Sequence, residues 1–390
     1  MTDGASRSVI ATLSACNFVI GMGAFVVIGL IDPMSEALSV SRSGAGWVMT
    51  IYAISYAIFS PLLVSATGRI GRRRVLALGM ALFGVGMTGA ALAPSMGWLL
   101  LARGVAAAGA GMFTPVSVAV AAALAAPEER GRVLAAVVFG LTLAQVAGVP
   151  AGGWIAFTFG WRVAFWLVAA LAVVGIALVW TRVPRGLSFA PVSLSDLGRV
   201  IRDGIAMGAI LYTASFLGSI FVLYTYIAPL LSETMGFGRD AITLTLVVFG
   251  VGAVLGNLLG GWMADNLGFL RTLLLLVAGQ LLTMPLFSGL PYPVWALMAL
   301  VFLWSILGWS FMAAQQVRLL GLAPEEASVV LALNAAAIYV GTACGSAFGG
   351  LVLDMAGIDA LGIGASIAAL WALTHILWSH RSAKLAGRES

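Results

Sequence analysis

Few residues in this chain can do chemistry, and their positions are unusual. Arg103 is the one formal cation inside a long uncharged run. A guanidinium in such a run is costly in lipid and faces a cavity or a partner. Donation to the backbone carbonyls of a neighbouring helix is the structural alternative. Asp and Glu are absent from the middle of every long apolar run. The closest carboxylates are Asp32, at one end of the first run, and Asp265, at the end of the eighth. A desolvated carboxylate in a membrane can trade protons near neutral pH. That makes Asp32 the candidate for proton exchange, against the plainer reading of a hydrated helix-end residue beside Pro33.

Uncharged polar groups are more numerous inside the runs. They are Asn17, Tyr56, Gln145, Gln280, Gln315, Gln316 and Asn334, with Tyr224 and Tyr226 on the seventh run. Amides and phenols offer donors and acceptors without charge, which suits a neutral or heteroaromatic ligand. The alternative for each is a hydrogen bond between helices. Cys16 and Cys344 lie in apolar runs and have neither zinc spacing nor a disulfide framework. No metal cluster, G-x-x-x-x-G-K-[ST] loop or nucleophile–base constellation is visible. Neither an enzyme nor ATP drive is therefore expected, and no cofactor.

The elements that carry these groups follow from composition. Of 390 residues, 61% are hydrophobic and 9% charged, where a soluble domain has roughly 25% charged. Mean hydropathy is +1.07. Lipid, not water, must solvate most of this surface. The net charge of +5 does not point to nucleic acid, because the basic residues sit in short breaks between apolar runs. Leu13-Ser14-Ala15-Cys16 resembles a lipoprotein processing box, but the apolar stretch before Cys16 is too short for a signal segment. The run from Val9 to Ile31 reads instead as a retained first helix.

Charges, prolines and polar clusters divide the chain into twelve apolar segments: 8–31, 45–66, 75–93, 97–125, 132–156, 161–181, 206–231, 242–264, 271–290, 294–319, 327–354 and 358–379. The predicted architecture is an all-α integral membrane protein of two six-helix bundles, 1–181 and 206–390, joined by a linker at 182–205. Twelve crossings place both chain ends on one side. The opposite side holds only Arg42, Arg162 and Arg239, and apart from Arg103 every other Lys and Arg falls on the side of the ends. By the positive-inside rule both ends are cytoplasmic.

The halves repeat. A shift of 197 residues carries Gly71 onto Gly268, Arg74 onto Arg271, and Pro127-Glu128-Glu129 onto Pro324-Glu325-Glu326. The same shift carries Ala144, Gly148, Gly152 and Gly153 onto Gly341, Gly345, Gly349 and Gly350. Parallel repeats of six helices are a transporter architecture, with the substrate near the midplane. Small residues every fourth position, in these two strips and in Gly252/Gly256/Gly260, form smooth faces along three helices. Such faces serve static packing or a sliding motion.

Arg69-Ile70-Gly71-Arg72-Arg73-Arg74 after the second segment, and Asp265-Asn266-Leu267-Gly268-Phe269-Leu270-Arg271 after the eighth, resemble the loop signature of the major facilitator superfamily. Arg103 with Gly104, Gly109 and Gly111 is similar to its fourth-helix motif. Gly148-Val149-Pro150-Ala151-Gly152-Gly153 is similar to the fifth-helix motif of proton-coupled drug exporters. Phe159 to Arg162, Tyr224 to Pro229 and Trp309 to Gln316 resemble the purine-efflux and arabinose-efflux-like permeases of its twelve-helix drug:proton antiporter branch. The resemblance covers the whole chain.

It implies a monomeric exporter in the cell inner membrane that exchanges a purine, nucleoside, sugar or drug-like molecule for protons by alternating access. It assigns Arg103 to proton coupling or substrate contact and strengthens Gln315 and Gln316 as ligand contacts. It gives the Gly71, Arg72, Arg73, Asp265, Gly268 and Arg271 positions a conformational role. Two departures stand out. Gly68 replaces the signature Asp of the first loop, which leaves plain positive-inside anchoring open for Arg72 to Arg74. Ala24 lies where relatives of this branch carry a helix-one Glu, and Asp32 is roughly 12 Å further along the axis. That departure keeps a facilitator or importer in play. A transport-inactive receptor is a third reading, but no appended signalling domain is expected.

Overall fold

The computed structural model describes residues 3–125, 129–187 and 194–389, and within these no strand occurs. Pro127 and Glu128 of the repeated triplet, and positions 188–193 of the linker, lie outside the described residues. Twelve helices among the described residues are long and apolar enough to cross a membrane. In order they are Arg7–Gly29, Arg42–Ala66, Arg72–Ala91, Met96–Leu124, Arg132–Phe159 and Trp161–Arg182. Then follow Gly204–Met235, Arg239–Leu267, Phe269–Gly289, Val294–Leu322, Val329–Ala356 and Ile358–Leu385. They are numbered here as the first to twelfth spans. Each overlaps the apolar segment expected at its place. Large apolar side chains such as Leu101, Val173, Leu282 and Ile367 are exposed, as a lipid-facing surface requires. Most of the exposed Trp residues, including Trp98, Trp180, Trp262 and Trp295, lie near span ends, where amphipathic rings favour the membrane interface.

The chain forms two compact units. One comprises Met1–Val40 and Ile51–Pro191, the other Ser41–Thr50 and Val192–Ser390. The first turns of the second span thus group with the second unit, which a division read along the sequence leaves with the first.

Several spans depart from a continuous α-helix. The first is α-helical to Phe25, tightens to a 3₁₀ turn at Val26–Gly29, and is followed by a short helix Ile31–Leu38. Asp32 therefore lies in the first turn of that new helix, not at the end of the first span. A carboxylate is favourable there because the N-terminal N–H groups point toward it. Its repeat partner, the seventh span, breaks at Thr225–Tyr226 between helices Gly204–Tyr224 and Ile227–Met235. In the fifth span Ala144–Gly148 widens into a π-turn, with the Val149 N–H bonded to the Ala144 carbonyl. Pro150 explains it. Proline has no N–H for the carbonyl four residues back and its ring crowds that carbonyl. The eleventh span carries Ala347 at the equivalent position and stays α-helical.

Turns repeat as well. Gly160 (φ +95) joins the fifth and sixth spans, and Gly357 (φ +83), 197 residues on, joins the eleventh and twelfth. Only glycine adopts such backbone cheaply.

The small-residue strips are packing faces inside the units. In the second unit, Cβ atoms added at Gly341, Gly345 and Gly349 would lie 2.5, 2.2 and 2.5 Å from the carbonyl oxygens of Ala214, Gly218 and Val222 on the seventh span. Gly256 and Gly260 press in the same way on the Ile306 and Ser310 carbonyls of the tenth span. In the first unit, Gly148 and Gly152 meet Met22 and Val26 of the first span, and Gly140 lies against the Ser14 carbonyl. Without a hydrophobic drive between helices in lipid, such close backbone approach is what holds spans together.

The linker is partly built into the second unit. Its short helix, Leu194–Arg202, places Leu197 and Val200 in a core with Ala206, Ile210, Leu319, Val330 and Ala383. Asp203 then caps the seventh span, accepting from Ile205 and Ala206 N–H at 3.0 and 3.2 Å. Its other oxygen pairs with Arg388. Burial works against the Asp203 carboxylate, but the Arg388 and backbone hydrogen bonds outweigh it and hold its pKa below the ordinary value.

Two tests follow from this packing. Gly345→Ala is expected to destabilise the purified protein by about 1–3 kcal/mol, read as a lowered unfolding midpoint. Gly261→Ala, with open space around it, should leave the midpoint unlowered. A lowered pKa for Asp203 means its stabilisation is in full force above the ordinary carboxylate value of about 3.9 and is lost as pH falls through the folded value. Asp203→Asn is therefore expected to lower the midpoint at neutral pH and to flatten its acid-side decline in thermal scans.

Candidate functional site

Arg103 lies fully buried in the fourth span. Its Nη1 donates to the Gly23 carbonyl at 2.5 Å and its Nη2 to the Ala24 carbonyl at 3.0 Å. The guanidinium sits 4.2 Å above the Tyr52 ring and 5.9 Å from Phe165. The reason for this docking is local. The α-helix of the first span ends at Phe25, and the last four carbonyls of a helix have no internal partner. Arg103 satisfies two of them and puts positive charge at the negative end of the helix dipole. Ala24 thus presents its carbonyl to the buried cation.

The amides separate into two groups, one per unit. In the first unit Asn17 is fully buried and donates to Ser117 Oγ at 2.9 Å and to the Val137 carbonyl at 3.4 Å. It ties the first, fourth and fifth spans. Its Oδ1 has no partner, and neither has Oε1 of Gln145 in the π-turn. Tyr56 is buried in the second span.

In the second unit Thr213 is a hub. Its hydroxyl donates to Asn334 Oδ1 at 2.5 Å and accepts from Gln315 Nε2 at 3.0 Å. Gln315 also donates to the Ala209 carbonyl at 2.7 Å, while its Oε1 is unpartnered. Gln316, one residue and roughly 100° further round its helix, is exposed. The structure therefore brings Gln315 and Asn334 together through Thr213, and Gln316 is not part of that hydrogen-bonded group.

Tyr224 stacks on Phe249 with ring centres 4.0 Å apart and meets Trp304 edge-on. The Tyr224 hydroxyl and Trp304 Nε1 are buried without partners, as is Oε1 of Gln280, whose Nε2 donates to the Trp304 carbonyl at 3.4 Å. Tyr226 bonds the Ser346 carbonyl at 3.2 Å. It also lines a cavity of about 230 Å³ in the second unit with Ser43, Trp47, Thr50 and Asp354.

The conformational motif divides as well. Gly71 precedes the third span as its cap residue. Arg72 is buried, and its N–H bonds the Leu187 carbonyl of the linker at 3.0 Å. Arg73 donates to the Trp180 carbonyl at 3.1 Å and lies over the Trp180 ring at 4.5 Å. Pro150, Gly152 and Gly153 are buried beside the π-turn. In the second unit Gly268 (φ +77) makes the corresponding turn, with Asp265 and Arg271 exposed on either side and no ion pair joining them among the described residues.

Tyr52, Thr213 and Arg318 carry site geometry that the sequence did not single out. Tyr52 and Thr213 gave no signal, because one aromatic and one hydroxyl among many apolar residues carry no spacing. Arg318 had one: it lies a full turn inside the end of its span.

Comparison with known proteins follows the same lines. The family model described as Major Facilitator Superfamily matches residues 13–316 and 209–390. The inner membrane transport protein YdhP of Escherichia coli K12 is 31% identical over 340 residues, 86% of this chain and 86% of its own. The uncharacterized MFS-type transporter YbcL of Bacillus subtilis is 29% identical, over 88% of each chain. A probable sugar efflux transporter of Helicobacter pylori J99 is 27% identical, over 91% and 90%. Among solved structures, a bacterial homolog of the human lysosomal transporter Spinster, inward-facing and occupied, superposes with a TM-score of 0.77. It is 16% identical and covers 100% of this chain and 98% of its own.

Arg103→Ala strands two buried carbonyls and is expected to cost at least about 2 kcal/mol, measured by thermal unfolding. Arg103→Lys keeps the charge but not the fork that spans two acceptors, so an intermediate loss is expected.

Proposed function

Because the chain belongs to the major facilitator superfamily, a family of membrane transporters, we propose that it exports a small organic molecule in exchange for protons. The observation that carries the reading is coverage: transporter-named relatives align along nearly the whole chain, one of them named for sugar efflux. The chemistry of the spans supports the substrate class. Among the buried unpartnered atoms are amide, phenol and indole groups: Asn17 Oδ1, Gln145 Oε1, Gln315 Oε1, Tyr224 OH and Trp304 Nε1. Such groups match the hydroxyls of a sugar or nucleoside or the ring nitrogens of a purine. The proposed contacts are Asn17, Tyr56, Gln145, Tyr224, Tyr226, Gln315, Gln316 and Asn334.

In this reading Arg103 and Asp32 serve proton coupling, and the glycine-rich turns and the fifth-span motif serve the alternation between conformations. The positive-inside bias supports an inner-membrane protein with both chain ends cytoplasmic. A monomer suffices, since the two bundles come from one chain. A proton-independent facilitator is the second reading, favoured by one observation. Every Asp and Glu of the described spans lies near a span end, and Ala24 stands at the helix-one position.

The deciding experiment is twofold. An efflux and toxicity panel in a sensitised host identifies the substrate, and Arg103→Ala is expected to lose most of the resistance. Inverted vesicles then measure its accumulation under an imposed proton gradient. Uptake that rises with the gradient and falls in Asp32→Asn supports antiport. Uptake that equilibrates regardless of the gradient removes it.

A further inference from the structure

Arg318, on the tenth span, is fully buried in the second unit. Its Nε donates to Glu389 Oε1 at 2.7 Å, and its Nη2 donates to Ser379 Oγ at 3.0 Å. The second carboxylate oxygen of Glu389 lies 2.5 Å from His380 Nδ1. The Glu389 side chain is 4% exposed and that of Arg318 0%. Arg318 Nη1 is buried with no hydrogen-bond partner. A buried cation thus meets a single carboxylate through one donor, with another donor left over.

The carboxylate does not come from a span. It comes from the segment after the twelfth span, turned back by a glycine. Gly387 (φ +70) bonds the Lys384 carbonyl at 3.0 Å, and Arg388 N–H bonds the Ala383 carbonyl at 3.0 Å. This pair of bonds is the Schellman closure of a helix end, which needs a left-handed residue at the turn. Arg388 then pairs with Asp203. The reversal and that outer ion pair aim Glu389 inward.

We propose that Arg318, Ser379 and His380 form a binding site for a small carboxylate, and that Glu389 fills it as a tethered ligand. A guanidinium accommodates a carboxylate best through two parallel N–H donors. The tethered group reaches only Nε because its other oxygen is committed to His380. A free carboxylate can use Nη1 as well. The tether keeps it out by raising the local concentration of Glu389. The site does not depend on the transport reading.

The test uses the full chain in detergent, with thermal unfolding followed in sodium chloride and in sodium acetate at equal ionic strength. Glu389→Ala leaves the Arg318 charge buried and uncompensated, so a fall of several degrees in chloride is expected. Acetate is expected to restore most of it in a saturable way, while the wild type unfolds alike in both salts. Glu389→Gln, which keeps the side-chain shape, is expected to show the same preference for acetate and serves if Glu389→Ala cannot be purified. An unchanged midpoint for Glu389→Ala in chloride would overturn the proposal. So would an acetate gain no larger than that of the wild type in both variants, which would reduce the segment to packing.

Discussion

The constraint on which this structure depends is that lipid, not water, solvates the outer surface of its spans. Every backbone N–H and C=O there must find a partner within the protein. Regular helix supplies most of them. Wherever regular helix stops, something else must step in, and those places hold the polar side chains described above. The first span ends its α-helix at Phe25, and Arg103 takes the freed carbonyls. The sixth span ends near Arg182, and Arg73 takes the Trp180 carbonyl.

The same constraint explains the glycines. Apolar surface gains little by moving from lipid to protein, so helices hold together by closeness. The seventh and eleventh spans meet where Gly341, Gly345 and Gly349 lie directly on main-chain oxygens. The eighth and tenth meet through Gly256 and Gly260 in the same manner. These strips are internal to the units, so they give each unit rigidity. Buried, incompletely satisfied amides are tolerated in such units because uncharged groups cost less to hide than ions.

Charge is treated oppositely. Among the described residues the carboxylates of the spans stay near span ends, and the two fully buried cations have different solutions. Arg103 is neutralised by helix-end carbonyls and an aromatic face, Arg318 by a carboxylate brought back on a glycine turn. Each cation is fixed to a piece of backbone that must stay in place for it to stay buried.

The sequence by itself determined the solvent, the twelve spans, the twofold repeat and the family resemblance, because these depend on hydropathy, spacing and charge counts that need no contacts. It also marked Arg103 as costly and Asn17, Gln145, Gln315 and Asn334 as polar where polarity is rare. Only the tertiary structure decided what those groups touch. It placed Arg103 on the Gly23 and Ala24 carbonyls, joined Gln315 to Asn334 through Thr213, left Gln316 exposed, and moved Asp32 into a separate helix. It widened the fifth span into a π-turn ahead of Pro150 and folded Glu389 onto Arg318. These outcomes rest on residues up to 121 positions apart and on which carbonyls a neighbouring span leaves free. A residue's own surroundings in the sequence carry no record of either.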